Sequence, residues 1–183
     1  MDSKKEVLDA ILRLRQQNRP WLNAEKLSQI EQKVTAVPSA TLTDRKSALH
    51  LSASAVVFNH DKCFFIKHPY LQQILLPAGH VESGESTLEC ALREFHEETG
   101  RRAQATASTP AELLDLNLIY IPSNPVKHEV SHFHVDVRYR LFLASKQPQP
   151  PIAELPVYLL GKEQATAEFK GYYELLHKKE SGT

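Results

Sequence analysis

Residues 79–101 read GHVESGESTLECALREFHEETGR. Glu94, Glu97 and Glu98 fall at i, i+3 and i+4, a spacing that puts three carboxylates on one side of a helix. Carboxylates packed that closely repel one another unless positive charge sits among them. A hard divalent cation such as Mg2+, which takes oxygen ligands, is the usual answer. Ser86-Thr87-Leu88-Glu89 is a capping box, and Gly100 suits the left-handed residue that ends a helix, so the spacing predicts a helix over 87–99. Leu88, Ala91, Leu92, Phe95 and Thr99 mark its buried stripe. At about 100° per residue, Glu94 and Glu98 border that stripe and Glu97 lies further round, so the cluster borders the protein body. Arg93 falls on another side, four residues from both Glu89 and Glu97. Before the helix, Gly79 and Gly84 bracket a loop that can fold tightly.

Upstream of this stretch, Leu51 begins an alternation that becomes fully apolar at Val56-Val57-Phe58, as a strand does on entering a core. Asn59-His60-Asp61-Lys62 is a turn cluster, so residues 51–67 read as a hairpin, which His68-Pro69-Tyr70 leaves. Ile74-Leu75-Leu76 is a short strand stopped by Pro77. Downstream, 101–112 carry little pattern. Leu113–Ile121 reads as a strand closed by Pro122-Ser123-Asn124-Pro125. In Ser131–Ala144, Phe133, Val135, Val137, Tyr139 and Leu141 share one face, while His132, His134, Asp136, Arg138 and Arg140 share the other. A face this polar meets water or floors a binding site. Two histidines and a carboxylate also make a ligand set for zinc or iron, but a wet strand face accounts for them equally, and no second metal is expected there. His80 and His96 are expected to face solvent, and Tyr120 and Phe133 to pack in the core. The proline-rich run 147–156 is a loop, and the tail from Lys162 suits a final helix buried through Phe169, Tyr172, Tyr173 and Leu176, with Gly171 weakening it.

Residues 1–47 read as a helical N-terminal extension to a domain over 48–183. Val7, Leu8, Ile11, Leu12 and Leu14 stripe a first helix that ends before Pro20. Asn23 caps a second, striped by Leu27, Ile30 and Val34. Packing of both helices on the domain is the expected role; a homodimer contact or a partial lid is compatible with the same pattern.

A hydrophobic fraction of 42% supports a core and argues against disorder. Lys plus Arg number 22 and Asp plus Glu 22, so no net charge drives the chain toward nucleic acid or an anionic membrane. Small phosphorylated ligands need only local positive charge. Cys63 and Cys90 sit among apolar residues and form no C-x-x-C pair, which points to buried thiols in a reducing compartment. With no signal-like or membrane-spanning stretch, cytoplasmic residence is the expectation.

The quoted stretch resembles the Nudix box, G-x5-E-x7-R-E-U-x-E-E-x-G-U with U a bulky apolar residue. Gly79, Glu85, Arg93, Glu94, Glu97, Glu98 and Gly100 supply all seven fixed letters in register, and Phe95 the first U. Arg101 departs from the final apolar position, which bears on local packing and not on the acidic cluster. The resemblance implies an α/β fold, the Nudix α/β/α sandwich with a mixed central sheet. It also implies Mg2+- or Mn2+-dependent hydrolysis of a nucleoside diphosphate linked to a further group X. Carried over, Glu94, Glu97 and Glu98 would be metal ligands, with one of them or a carboxylate from a distant loop as general base. Gly79 would complete the metal shell through its backbone, and Glu85 and Arg93 would pair to hold the loop on the helix. Diphosphate hydrolysis requires neutralised phosphate oxygens and an acidified water, which metals on clustered carboxylates supply. Arg138 and Arg140, and after them Lys67, are candidates to steady phosphates by paired hydrogen bonds, and His132, His134 and Asp136 share their face.

The expected partner is a small nucleotide-type diphosphate, with no membrane and no nucleic acid beyond a capped RNA end. Two other readings stay open. An isopentenyl-diphosphate isomerase-like enzyme would need Cys63 as its catalytic cysteine. A nucleotide-sensing module would bind without cleaving, although such modules erode the box glutamates and none is eroded here.

Overall fold

The computed structural model describes residues 2–69, 71–123, 130–148 and 152–180. Tyr70, Asn124, Pro125 and the Gln149-Pro150-Pro151 part of the proline-rich run lie outside the described residues. The helix expected from the quoted stretch forms as α3, Thr87–Thr99. Ser86 Oγ accepts from the Glu89 N–H at 3.2 Å and the Glu89 carboxylate accepts from the Ser86 N–H at 2.8 Å, so both halves of the capping box are made. Gly100 is left-handed (φ 65°), and a side chain there would also strike the Ile152 backbone at 2.6 Å, so two separate constraints demand glycine.

The strands form one mixed sheet flanked by helices, the α/β/α sandwich. Its axis is β1, Leu49–Asn59. This strand runs parallel to β7, His132–Leu143, with His50 opposite His134, Ser52 opposite Asp136 and Ser54 opposite Arg138. Antiparallel to β1 lies β4, Ala78–His80, with Ser52 opposite His80. On the far side of β7 lie β6, Glu112–Ile121, and the two-residue β5, Ala103–Gln104. The end of β1 turns into β2, Lys62–Lys67, which carries β3, Ile74–Leu75, and β8, Val157–Leu160.

One face of the sheet presents Leu51, Ala53, Val135 and Val137 to Cys90, Ala91 and Phe95 of α3. The same core takes in α1, Ser3–Arg15, through Val7, Ile11 and Leu14, and α2, Ala24–Ala36, through Leu27, Ile30 and Val34. Leu12, expected in the α1 stripe, is exposed. Between the two helices the chain is tied to β6: Gln17 Nε2 donates to Leu113 O at 3.5 Å and Trp21 Nε1 to Leu114 O at 3.0 Å, covering a strand edge.

The opposite face is covered by α4, Ala167–Lys170, and the 3-10 segment Gly171–Glu180 that follows it. A single α-helix was expected here. The chain tightens at Gly171, the residue that weakens an α-helix, and Leu175 is buried more deeply than Leu176, as a three-residue turn counted from Tyr172 dictates. Phe169, Tyr172, Tyr173 and Leu175 pack on Val56, Cys63, Phe65 and Leu114. Among the described residues no helix is long and apolar enough to cross a membrane.

Candidate active site

The three carboxylates lie where the helical angles put them: Glu94 and Glu98 half-buried against the body, Glu97 exposed. Arg93 organises the cluster. Its Nε and one terminal nitrogen donate to the two oxygens of Glu85 at 2.8 and 3.0 Å, and that second nitrogen also reaches His80 O at 3.0 Å. The other terminal nitrogen donates to Glu94 at 2.7 Å and Glu97 at 3.1 Å. A single guanidinium fork therefore fastens the start of the loop, its end and two of the three helix carboxylates, a task a lysine cannot reproduce. Glu89, four residues before Arg93, is engaged instead by the capping box, accepting from the Ser86 N–H and hydroxyl.

Glu94 closes against Gly79. A Cβ built on that glycine would overlap the Glu94 carboxylate carbon and both of its oxygens, so the carboxylate occupies the space a side chain would fill. Glu98 accepts from the Ala78 N–H at 2.9 Å. Burial pushes the Glu98 carboxyl up to about 8, against the Ala78 hydrogen bond and with help from the charges of Glu94, Glu154 and Glu97. Burial also raises Glu94, and Arg93 offsets part of it. At Glu85 burial works upward as well, but the Arg93 bonds and the Glu82 N–H hold the group below the usual carboxylate range. Two half-buried acids with raised pKa values side by side favour added positive charge between them. The donor set, all oxygen and mostly anionic, fits a hard divalent cation.

Glu154 is a residue that the sequence did not single out. Its N–H donates to Glu97 O at 3.2 Å, which draws the later part of the proline-rich run against the end of α3, and its charge is felt at Glu98. No local pattern marks it; only the fold brings it there.

The polar face of β7, expected to meet water or to floor a binding site, is largely sealed. Asp136 is 1% exposed and accepts from Ser52 Oγ at 3.1 Å, Ser54 Oγ at 2.7 Å and Arg138 Nε at 2.9 Å. Arg138, 3% exposed, also donates to Tyr172 Oη at 3.1 Å and pairs with Glu168 at 2.6 Å. Tyr172 and Lys26 extend this network to Asp115 on β6. A buried guanidinium persists only with such partners. Asp136 and Arg138 are therefore engaged with each other and the 3-10 segment. Arg140 lies 3.6 Å from Glu112, with its guanidinium over the Phe142 ring. His132 and His134 are brought together, Nε2 to Nε2 at 3.1 Å. His80, expected in solvent, packs its ring 4.8 Å from that of His134, and His96 is half-buried with Nδ1 at Arg101 O, 3.2 Å away.

The NUDIX domain model matches residues 48–174. A protein of Lactococcus lactis subsp. cremoris named "Probable DHNTP pyrophosphohydrolase" is 48% identical over 151 residues, spanning 82% of this chain and 87% of its own length. This chain belongs to the NUDIX family. Among solved structures, the NUDIX chain resembles a MutT NUDIX hydrolase from Burkholderia pseudomallei at 18% identity (TM-score 0.49), over 66% of this chain and 88% of that one. It also resembles the NUDIX domain of Shewanella oneidensis NrtR complexed with ADP ribose at 22% identity (TM-score 0.45), over 73% and 82% of the two chains. NUDIX hydrolases generally use divalent metals, which agrees with the all-oxygen donor set at α3.

Proposed function

We propose that this NUDIX chain is a Mg2+-dependent pyrophosphohydrolase that cleaves a diphosphate linkage in a small nucleotide-type substrate. DHNTP, the substrate in the name of its 48%-identical relative, is the first compound to test. The observation that carries this reading is the closure of Glu94 on Gly79 beside Glu98, with one guanidinium holding Glu85, Glu94 and Glu97 in place.

Glu94, Glu97 and Glu98, with the Gly79 backbone, are the groups that would hold Mg2+ or Mn2+. When bound, such a cation neutralises phosphate oxygens and acidifies water. The remaining work falls to the chain. Arg93 and Glu85 keep the 79–85 loop docked on the helix, so that the carboxylates are ordered before substrate arrives. The proton of the attacking water goes to a carboxylate oxygen at this edge. Glu154, whose own segment is hydrogen-bonded to α3, is the group outside the helix suited to accept it.

The isomerase reading loses its cysteine. Cys63 is 1% exposed beneath Tyr173, and burial pushes its thiol up to about 12. The sensing reading keeps a clear test. Hydrolysis is to be screened over DHNTP, ADP-ribose, sugar nucleotides, dinucleoside polyphosphates, nucleoside triphosphates and capped RNA, each with Mg2+, Mn2+ or EDTA. The expected result is metal-dependent turnover concentrated on one class. Tight binding of a nucleotide with no turnover in either metal would overturn it in favour of the sensor.

A further inference from the structure

On the sheet face opposite α3, four histidines converge. The parallel register of β1 and β7 sets His50 opposite His134, β4 carries His80 across β1, and His132 precedes His134 by two residues. Ring centroids lie 4.4 Å apart for His50 and His134, 4.9 Å for His50 and His80, and 4.8 Å for His80 and His134. One ring nitrogen from each of these three residues falls within 4.8 Å of the others.

Imidazoles stacked this closely could be mere packing, but the polar atoms say otherwise. His50 is 1% exposed, and its Nδ1 lies 3.2 Å from Ser47 O. A carbonyl can only accept, so Nδ1 carries the proton and Nε2 carries the lone pair. That Nε2 is fully buried and has no hydrogen-bond partner. A buried acceptor left unpaired costs free energy that a Lewis acid would return. An Nδ1–H fixed by a backbone carbonyl is also the arrangement that orients a metal-binding imidazole. His132 follows the same logic. Its Nδ1 lies 2.8 Å from Val130 O, so its Nε2 accepts from His134 Nε2–H at 3.1 Å and leaves the other nitrogen of His134 with its lone pair.

We propose that His50, His80 and His134 form a binding site for a divalent transition metal, Zn2+ by choice of ligand, separate from the glutamate cluster. Three imidazole ligands without a carboxylate favour a borderline cation over Mg2+. Nitrogens around tetrahedral zinc stand about 3.4 Å apart, so the rings need only close in from their present spacing. His132 orients His134, and three protein ligands leave a fourth position for water or a substrate oxygen. The site abuts the loop of the proposed active site through the chain itself. Gly79 turns toward Glu94, while the next residue, His80, turns to the histidine side and gives its carbonyl to Arg93 at 3.0 Å.

The test uses the full chain, stripped of metal and then held in excess Mg2+ to saturate the glutamate site. Zn2+ is titrated in competition with a chromogenic chelator, and Co2+ is followed by visible absorption. The expected result is one tight equivalent of Zn2+ and the bands of a low-symmetry Co2+ site. His50→Ala, His80→Gln and His134→Ala should each weaken Zn2+ binding by about 100-fold or more, while Glu98→Gln leaves it unchanged. Thermal melts without metal report whether each variant is folded. His80 and His134, half-buried and outside the apolar cores, decide the matter should the deeper His50 variant fail to fold. No Co2+ spectrum and no Zn2+ retention in the wild type would overturn the proposal. So would Zn2+ binding that survives His80→Gln, or that disappears with Glu98→Gln.

Discussion

Replacing Gly79 by alanine places a methyl group where the Glu94 carboxylate now lies. Gly79 is not among the residues of positive φ, so the backbone accepts alanine and the conflict is one of space alone. Non-bonded carbons settle about 3.5–4.0 Å apart, so the carboxylate must withdraw by more than about 1 Å. Withdrawal breaks the 2.7 Å bond from Arg93 and leaves Glu97 and Glu98 to define the cradle without it. A displacement of that size at a reacting centre costs about 100-fold in rate, equivalent to about 2.7 kcal/mol of transition-state stabilisation. The fold should scarcely notice, because the group that moves is the end of a flexible side chain already burdened by burial. A stability change within about 1 kcal/mol is expected. The assay is kcat/KM for pyrophosphate release from DHNTP in Mg2+, paired with the thermal midpoint. A variant that keeps wild-type kcat/KM would refute the claim that Glu94 must sit against the Gly79 backbone. A variant that simply melts would show the contact to be structural.

Three further outcomes follow from the same structure. Arg138→Met should lower unfolding free energy in urea by about 3–5 kcal/mol, because it strands the Asp136 charge; a mild loss coupled to a raised KM would instead mean that Arg138 reaches phosphate. In metal-free protein the Glu98 carboxyl titrates at about 8 when folded, well above the unfolded value of 4.5. Folded chains then hold more protons across that window, so stability should fall as pH rises through it, by up to about 1.4 kcal/mol per pH unit, and Mg2+ binding near neutrality should release protons into weakly buffered solution; pH-independent melting of the metal-free form would contradict this. Cys63 is held at about 12 and burial raises Cys90 as well, so a thiol-reactive dye at mildly alkaline pH should label both only at the rate of unfolding; rapid labelling of the native chain would count against the packing described.

What could be read from the chain alone was whatever depends on neighbours in sequence. The α3 boundaries followed from Ser86, Glu89 and Gly100, and the half-buried setting of Glu94 and Glu98 followed from helical angle. What depended on strand pairing could not be read. The polar face of β7 read as open to water or ligand because its partners, Ser52 and Ser54, lie more than eighty residues away in sequence, and only the parallel register with β1 reveals that they sheathe Asp136. The same register brings His50 to His134, which no spacing within either strand announces. Strands β5 and β8 are too short for a period to show. Glu154 entered the site through a backbone bond to Glu97, and a backbone bond leaves no mark on composition.

The central claim is that the carboxylates of α3 hold a divalent cation that drives diphosphate hydrolysis. Glu98→Gln tests it most directly, since the amide keeps the shape of the side chain and removes its charge. Mg2+-dependent hydrolysis of the best substrate of the screen should fall by at least about 100-fold, or about 2.7 kcal/mol, in a variant whose metal-free thermal midpoint matches or exceeds that of the wild type. Turnover by Glu98→Gln at the wild-type rate in Mg2+ would contradict it.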